Sequence, residues 1–407
     1  MTLTPARRQA CYRSVVSLAD WALDPTVTHL NHGSFGGCPR SVLAAAAAIR
    51  ARLEASPMRF FASEWQPLVN AARLRVAAFV GADPACFAFV ASATTGVATA
   101  LAALAPALRP GDELLTTSHA YRACRNQLAR IADATGAHVV VVPIALPFDA
   151  DECIAALAAA TTARTRVALL DHVTSPTALH LPLARIILPL AARGVKIVVD
   201  GAHAPGQIDV DVGALVAAGV TYYTGNHHKW VCGPKASAFL VAAPHVAART
   251  HPLATSHGAS ADDGSTNRYH AEMDWSGTHD PSAHLAVPAA LDAIAALGGG
   301  WPATRARNHA LALELRFRLI GALGGGPQHL LAAPADIGSM VAVPIALPAG
   351  VAALALQADL LAAGWEVPVI DLPGQPLIRL SAHLYTEVAQ ADALARVLHA
   401  RGVTLPA

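Results

Sequence analysis

KIVVDGAHAPG, residues 196–206, and VTYYTGNHHKW, residues 220–230, each run from an apolar strand into a polar turn. The unbroken Ile197, Val198 and Val199 describe a strand buried on both faces, as in a parallel sheet covered by helices. Asp200 ends that strand, so its carboxylate leaves water and calls for a compensating partner. Lys229 follows the next strand, at the same end of the sheet. The chain has only three lysines; Lys196 begins its strand, at the opposite end, and Lys235 lies beyond a Gly-Pro turn. Two readings stand at this point. Asp200 and Lys229 form a salt bridge tying two strand ends together, or a cofactor lies between them. In the second case Asp200 pairs with a protonated pyridine nitrogen, and Lys229 forms a Schiff base with an aldehyde.

Working outward, further strand-length apolar runs cover 86–90, 113–117, 138–142, 167–171 and 237–241, separated by alanine-rich helical stretches. Their alternation with helices predicts an α/β domain with a mostly parallel sheet, its strands buried on both faces. SATTG follows Val90, SHAYRACRN follows Thr117 and HVTSPT follows Asp171. With GAHAPG and GNHHKW, these polar clusters gather at the carboxyl ends of the strands, where open α/β sheets bind ligands. After about residue 285 the pattern changes to helices over 284–297 and 304–320, then an LGGGP break and an α+β tail. That tail predicts a second, smaller domain.

The 407 residues carry 29 basic and 28 acidic side chains, with 14% charged overall. This balance excludes a nucleic-acid binder with a basic face and a charged disordered tail. Six cysteines at 11, 38, 86, 124, 153 and 232 form no CxxC pair, the usage of reduced thiols in a cytoplasmic protein. The opening MTLTPARRQACYRS holds no apolar secretory core. The uncharged stretch 85–108 is long enough for a bilayer, but Ser92, Thr94, Thr95, Gly96 and Pro106 divide it into strand, turn and helix. We therefore expect no membrane span. His227 and His228 are adjacent and cannot aim at one ion, and no HExxH occurs, so no metal is expected.

Eight motifs then carry a resemblance: LNHGSFG (30–36), SATTGV (92–97), DHVTSPTA (171–178), VDGAHAPG (199–206), YTGNHHKW (223–230), WSGTHD (275–280), GSM (338–340) and IRLSAHLY (378–385). In these the chain resembles the class V aminotransferase group of fold-type I pyridoxal 5'-phosphate enzymes, and within it the isopenicillin-N-epimerase-like subgroup. Ser92, where Asn is expected, and Thr386, where Asn commonly follows the Tyr, depart from the pattern.

The resemblance implies roles residue by residue. Lys229 would be the Schiff-base lysine and the base for the substrate α-proton, and Asp200 the partner of the pyridine nitrogen. Ala93 and Thr94 would bind the phosphate at a helix start, with Thr224 and His228 beside them. His119 would stack on the ring, with Tyr121 its competitor and a candidate acid, and Ser175 and His203 would touch the ring or its phenolic oxygen. Arg379 would hold the substrate α-carboxylate, with Asn31 and His32 close to the substrate. Gly277 and Thr278 would reach the phosphate from the other subunit of a homodimer, placing the active site at the interface.

The implied activity is formation of an aldimine with a small amino-acid-type substrate and removal of its α-proton. A C–S lyase of the hercynylcysteine sulfoxide lyase kind, or an aminotransferase, would share that first step. A desulfurase would need a late thiol, and the last cysteine is Cys232. The implied divisions are an N-terminal segment, 1–39, packing with the small domain, a large cofactor-binding domain, 40–285, and a small C-terminal domain, 286–407.

Overall fold

The computed structural model describes residues 17–260 and 267–407. The opening stretch with Cys11, and so the first part of the expected 1–39 segment, lies outside the described residues.

Twelve strands are described: β1 (Thr28–His29), β2 (Phe87–Val90), β3 (Glu113–Thr117), β4 (His138–Val142), β5 (Thr165–Asp171), β6 (Lys196–Asp200), β7 (Val220–Asn226), β8 (Ala238–Ala242), β9 (Met340–Pro344), β10 (Trp365–Glu366), β11 (Val369–Leu372) and β12 (Gln375–Ser381). Seven of them form the central sheet in the order β2-β8-β7-β6-β5-β3-β4. Only β8 runs against the rest, pairing antiparallel with both β2 and β7. Six strands therefore end on one side, with Asp171 and Asp200 as register partners on β5 and β6.

One expectation fails at the sheet edge. β4 has a single neighbour and is not covered on both faces; Val141 is 46% exposed. A continuous valine run looks the same in sequence at an edge and at the centre. The helix expected over 284–297 is also broken, into Ser282–Leu285 and Val287–Gly298. Pro288 stands in the first turn of the second piece, where its missing N–H is tolerated.

The helix Ala93–Leu104 follows β2. Ser92 caps it by accepting from the Thr95 N–H at 3.1 Å. Gly96 lets this helix approach β7, because a Cβ there would stand 2.1 Å from Thr224 Oγ1. The uncharged stretch 85–108 is thus a 3-10 turn, a strand and a buried helix, and no single helix among the described residues is long and apolar enough to cross a membrane.

β9, β11 and β12 make a three-stranded antiparallel sheet against which the helix Trp301–Ala322 packs. β1 joins β10 in parallel through Thr28 and Trp365. The N-terminal loop then runs back to the central sheet. Gly36, at φ +70°, is held where a Cβ would meet the His228 carbonyl oxygen at 1.8 Å. This contact lays the loop on the backbone of Lys229.

Candidate functional site

Two adjoining cavities lie at the carboxyl ends of the strands and share Ser34, Tyr121 and Ser175. The inner one, about 130 Å³, is bounded by Lys229, Asp200, Asp171, His203, His228 and the Ser92–Thr94 helix start. The outer one, about 640 Å³, extends past His119 and Arg379 to β11 and β12.

The salt bridge between Asp200 and Lys229 does not form. Asp200 accepts from Cys124 Sγ at 3.1 Å and from the Ala202 N–H at 2.9 Å. The Lys229 amine instead meets His203 Nε2 at 3.0 Å, leaving His203 Nδ1 buried and unpartnered. Burial, reinforced by the positive charge of Arg379, lowers Lys229 to about 8, with Asp200 and Asp171 pulling the other way. An amine with that affinity for protons is close to the state that adds to a carbonyl. Burial and the nearby lysine charge keep His203 and His228 neutral, the latter at about 4.

Asp171 was not expected in the site, although it ends VALLD as Asp200 ends KIVVD. Burial and the neighbouring Asp200 push its carboxyl well above the usual carboxylate range. Burial and the adjacent Asp200 likewise keep Cys124 a thiol. Asn226 was also missed. It ends β7 and accepts from the Ala93 N–H through Oδ1 at 2.8 Å. Its signal was its place three residues before Lys229 in TGNHHK.

Thr224 is buried one pleat deeper on the same strand and donates to the Phe239 carbonyl at 2.6 Å; it lines neither cavity. His32 packs beneath the lysine. Its Nε2 reaches the Lys229 carbonyl at 3.0 Å, and its Nδ1 meets the Tyr385 hydroxyl at 2.8 Å and the Gly37 N–H at 3.3 Å. Both nitrogens are engaged, so this histidine holds the lysine backbone and lines neither cavity. Gly277 and Thr278 line neither cavity of their own chain.

His119 lines the outer cavity, its Nδ1 fixed by the Thr177 hydroxyl at 3.0 Å, and burial lowers it to about 4. Tyr121, 43% exposed, lines both cavities. Arg379 is 3% exposed and has no carboxylate partner. Its Nη1 donates to Ser175 O and Oγ, its Nη2 to Ser34 Oγ at 2.7 Å and Asn31 Oδ1 at 3.4 Å, and its Nε is unsatisfied. Buried positive charge held only by neutral groups is a site for an anion.

His32, Cys232 and His383 gather within 4.8 Å of one another. The two imidazoles are stacked, with centroids 3.9 Å apart and planes 14° from parallel. A metal lies near the plane of each imidazole that binds it, so parallel stacked rings cannot share one ion.

The inner cavity fits pyridoxal phosphate by its chemistry. It offers a low-pKa amine without a carboxylate partner, a buried carboxylate without a cation, unpartnered Nδ1 atoms on His203 and His228, and a helix start.

A profile of the family Aminotransferase class-V matches residues 38–322. The isopenicillin N epimerase of Amycolatopsis lactamdurans is 36% identical over 396 residues, spanning 93% of this chain and 96% of that protein. A putative L-cysteine desulfhydrase 1 of Oryza sativa subsp. japonica is 34% identical over 355 residues, spanning 81% of this chain and 70% of that protein. Among solved structures, the cystine C–S lyase C-DES with its reaction product cysteine persulfide has a TM-score of 0.78 at 23% identity, covering 92% of this chain and 97% of that one. The cysteine desulfurase CsdA of Escherichia coli has a TM-score of 0.76 at 20% identity, covering 98% and 99%. Such identities bear on the fold alone. Fold and family together define a fold-type I enzyme dependent on pyridoxal phosphate. The chain belongs to the class V aminotransferase family.

Proposed function

We propose that this enzyme grips an amino-acid-type substrate by its α-carboxylate and removes the α-proton, in the manner of the isopenicillin-N-epimerase-like subgroup. The observation that carries the reading is the buried, carboxylate-free guanidinium of Arg379, close enough to Lys229 to lower its proton affinity. When bound, pyridoxal phosphate supplies an aldehyde that links to amines and a ring that draws electrons from the α-carbon.

The chain does the rest. Lys229 would hold the cofactor through its amine and, when that amine is free, would accept the α-proton on Nζ. Asp200 keeps a proton on the ring nitrogen. Thr94 and His228 would hold the phosphate, with Asn226 seating the helix start through the Ala93 N–H. His203 and Ser175 would contact the ring or its phenolic oxygen, and His119, with Tyr121 its competitor, would stack on it. Asn31 and Ser175 hold Arg379 in place, and His32 fixes the backbone of Lys229. Tyr121, open to both cavities, returns a proton to the opposite face of the α-carbon, which epimerisation requires.

A C–S lyase is the second reading, favoured by the desulfhydrase relative and by a crevice in which, among the described residues, no thiol is offered to carry sulfur, Cys124 being closed against Asp200. It uses the same proton removal followed by loss of the β-substituent. The reading extends to a cytoplasmic homodimer with the division 1–39, 40–285 and 286–407. Gly277 and Thr278, which line no cavity of their own chain, would then serve the neighbouring site.

The test is α-proton exchange in D₂O, followed by NMR on single enantiomers of candidate amino acids. We expect exchange in the wild type and none in Lys229→Ala, with inversion of configuration marking an epimerase and sulfide release a lyase. Exchange that survives in Lys229→Ala would remove the assignment.

A further inference from the structure

The outer cavity carries more positive charge than one α-carboxylate needs. Besides Arg379, it is lined by Arg122 and Arg125, opposed by the single carboxylate of Asp371. Among the described residues neither Arg122 nor Arg125 enters an ion pair, and neither guanidinium has a hydrogen-bond partner. Both sit on the helix Arg122–Thr135, spaced i and i+3, so they share a face, while Cys124 of the same turn reaches inward to Asp200. No side chain caps that helix, so its positive end faces the same space. The charge of Arg125 is felt by His119 on the cavity wall. Ile144 and Leu146 supply an apolar surface in the same cavity. At about 640 Å³ the space lies in the range of pockets for ligands much larger than a three-carbon amino acid.

We infer that the substrate is an α-amino acid whose side chain ends in a second carboxylate. Arg379 takes the α-carboxylate, Ile144 and Leu146 pack against the chain between, and Arg122 with Arg125 takes the distal anion. This rests on the proposed amino-acid site and names the substrate class it accepts. Two unpaired guanidinium groups on a cavity wall favour an anion over a neutral end by electrostatic and hydrogen-bond complementarity.

The test uses the holoenzyme and titrates the cofactor absorbance with aspartate, glutamate and 2-aminoadipate, each against a neutral-ended analogue such as asparagine or glutamine. At least one anionic member should bind about tenfold or more tightly than its neutral partner. That ratio should fall to about one in the Arg122→Gln, Arg125→Gln double variant, both positions lying outside the core. A second readout needs no cofactor: glutarate should raise the melting temperature of the apo wild type more than that of the double variant. Equal affinities for every anionic and neutral pair, or a preference retained by the double variant, would overturn the inference while leaving the amino-acid site intact. An absorbance that no amino acid moves would overturn both.

Discussion

Lys229 lies between opposed influences. Burial and Arg379 disfavour its charge, and two carboxyl groups favour it, with the balance at about 8. At pH 7 roughly a tenth of the amine is then neutral, against roughly one part in three thousand for an ordinary lysine. Because only the neutral amine adds to an aldehyde, capture of pyridoxal phosphate by the apo protein should accelerate as pH rises and level off above about 8. Stopped-flow absorbance would show this, and a rate still climbing past pH 10 would contradict the burial argument. Asp171 gives a second residue-level prediction. Since burial and Asp200 both disfavour its charge, Asp171→Asn should change stability by less than about 1 kcal/mol, as an isosteric neutral replacement. Asp171→Ala should lower stability by about 1–3 kcal/mol, because it opens a cavity at a buried strand end. Urea denaturation of both variants separates the two cases; an equally large loss in Asp171→Asn would mean the carboxyl is ionised.

At the level of elements, the helix Ala93–Leu104 and β7 are locked by Gly96 over Thr224 and by Asn226 under Ala93. Gly96→Ala would drive a methyl to 2.1 Å from Thr224 Oγ1. The helix start must then lift, at a cost of about 1–3 kcal/mol from overpacking. We expect weaker retention of pyridoxal phosphate on dialysis as well as a lower melting temperature; a lower melting temperature with unchanged retention would separate this helix from phosphate binding. The same pair of elements shows what was legible in sequence. β3, β4 and β6 follow their apolar runs residue for residue, because charged or turn residues bound each run. Lys229 and Asp200 were legible because each ends or follows a strand at one end of the sheet. Thr224 and Asn226 share a face of β7, two residues or about 7 Å apart along it. Which of them reaches the helix start depends on how deeply the helix seats, a fact set by Gly96 in three dimensions. The pairing of Asp171 with Asp200 is likewise a matter of strand register, and the turning of His32 onto the Lys229 carbonyl a matter of packing across 197 residues.

For the whole molecule, one near-neutral chain builds a crevice between a seven-stranded sheet and a three-stranded one, closed by an N-terminal loop laid on the lysine backbone. The exposed ring of Phe35 at the inner cavity, together with Gly277 and Thr278 away from it, suits a site completed by a second chain. Light scattering should therefore give twice the 41.9 kDa chain mass. A single-chain mass would remove the intersubunit contribution.

The most direct measurement is the absorbance spectrum of the purified protein after addition of pyridoxal phosphate and desalting, beside Lys229→Ala. The wild type should keep a visible band from the lysine-bound cofactor, and Lys229→Ala should lose it. A wild type that keeps no cofactor, or a variant whose band is unchanged, would contradict the assignment of Lys229 and of the inner cavity around it.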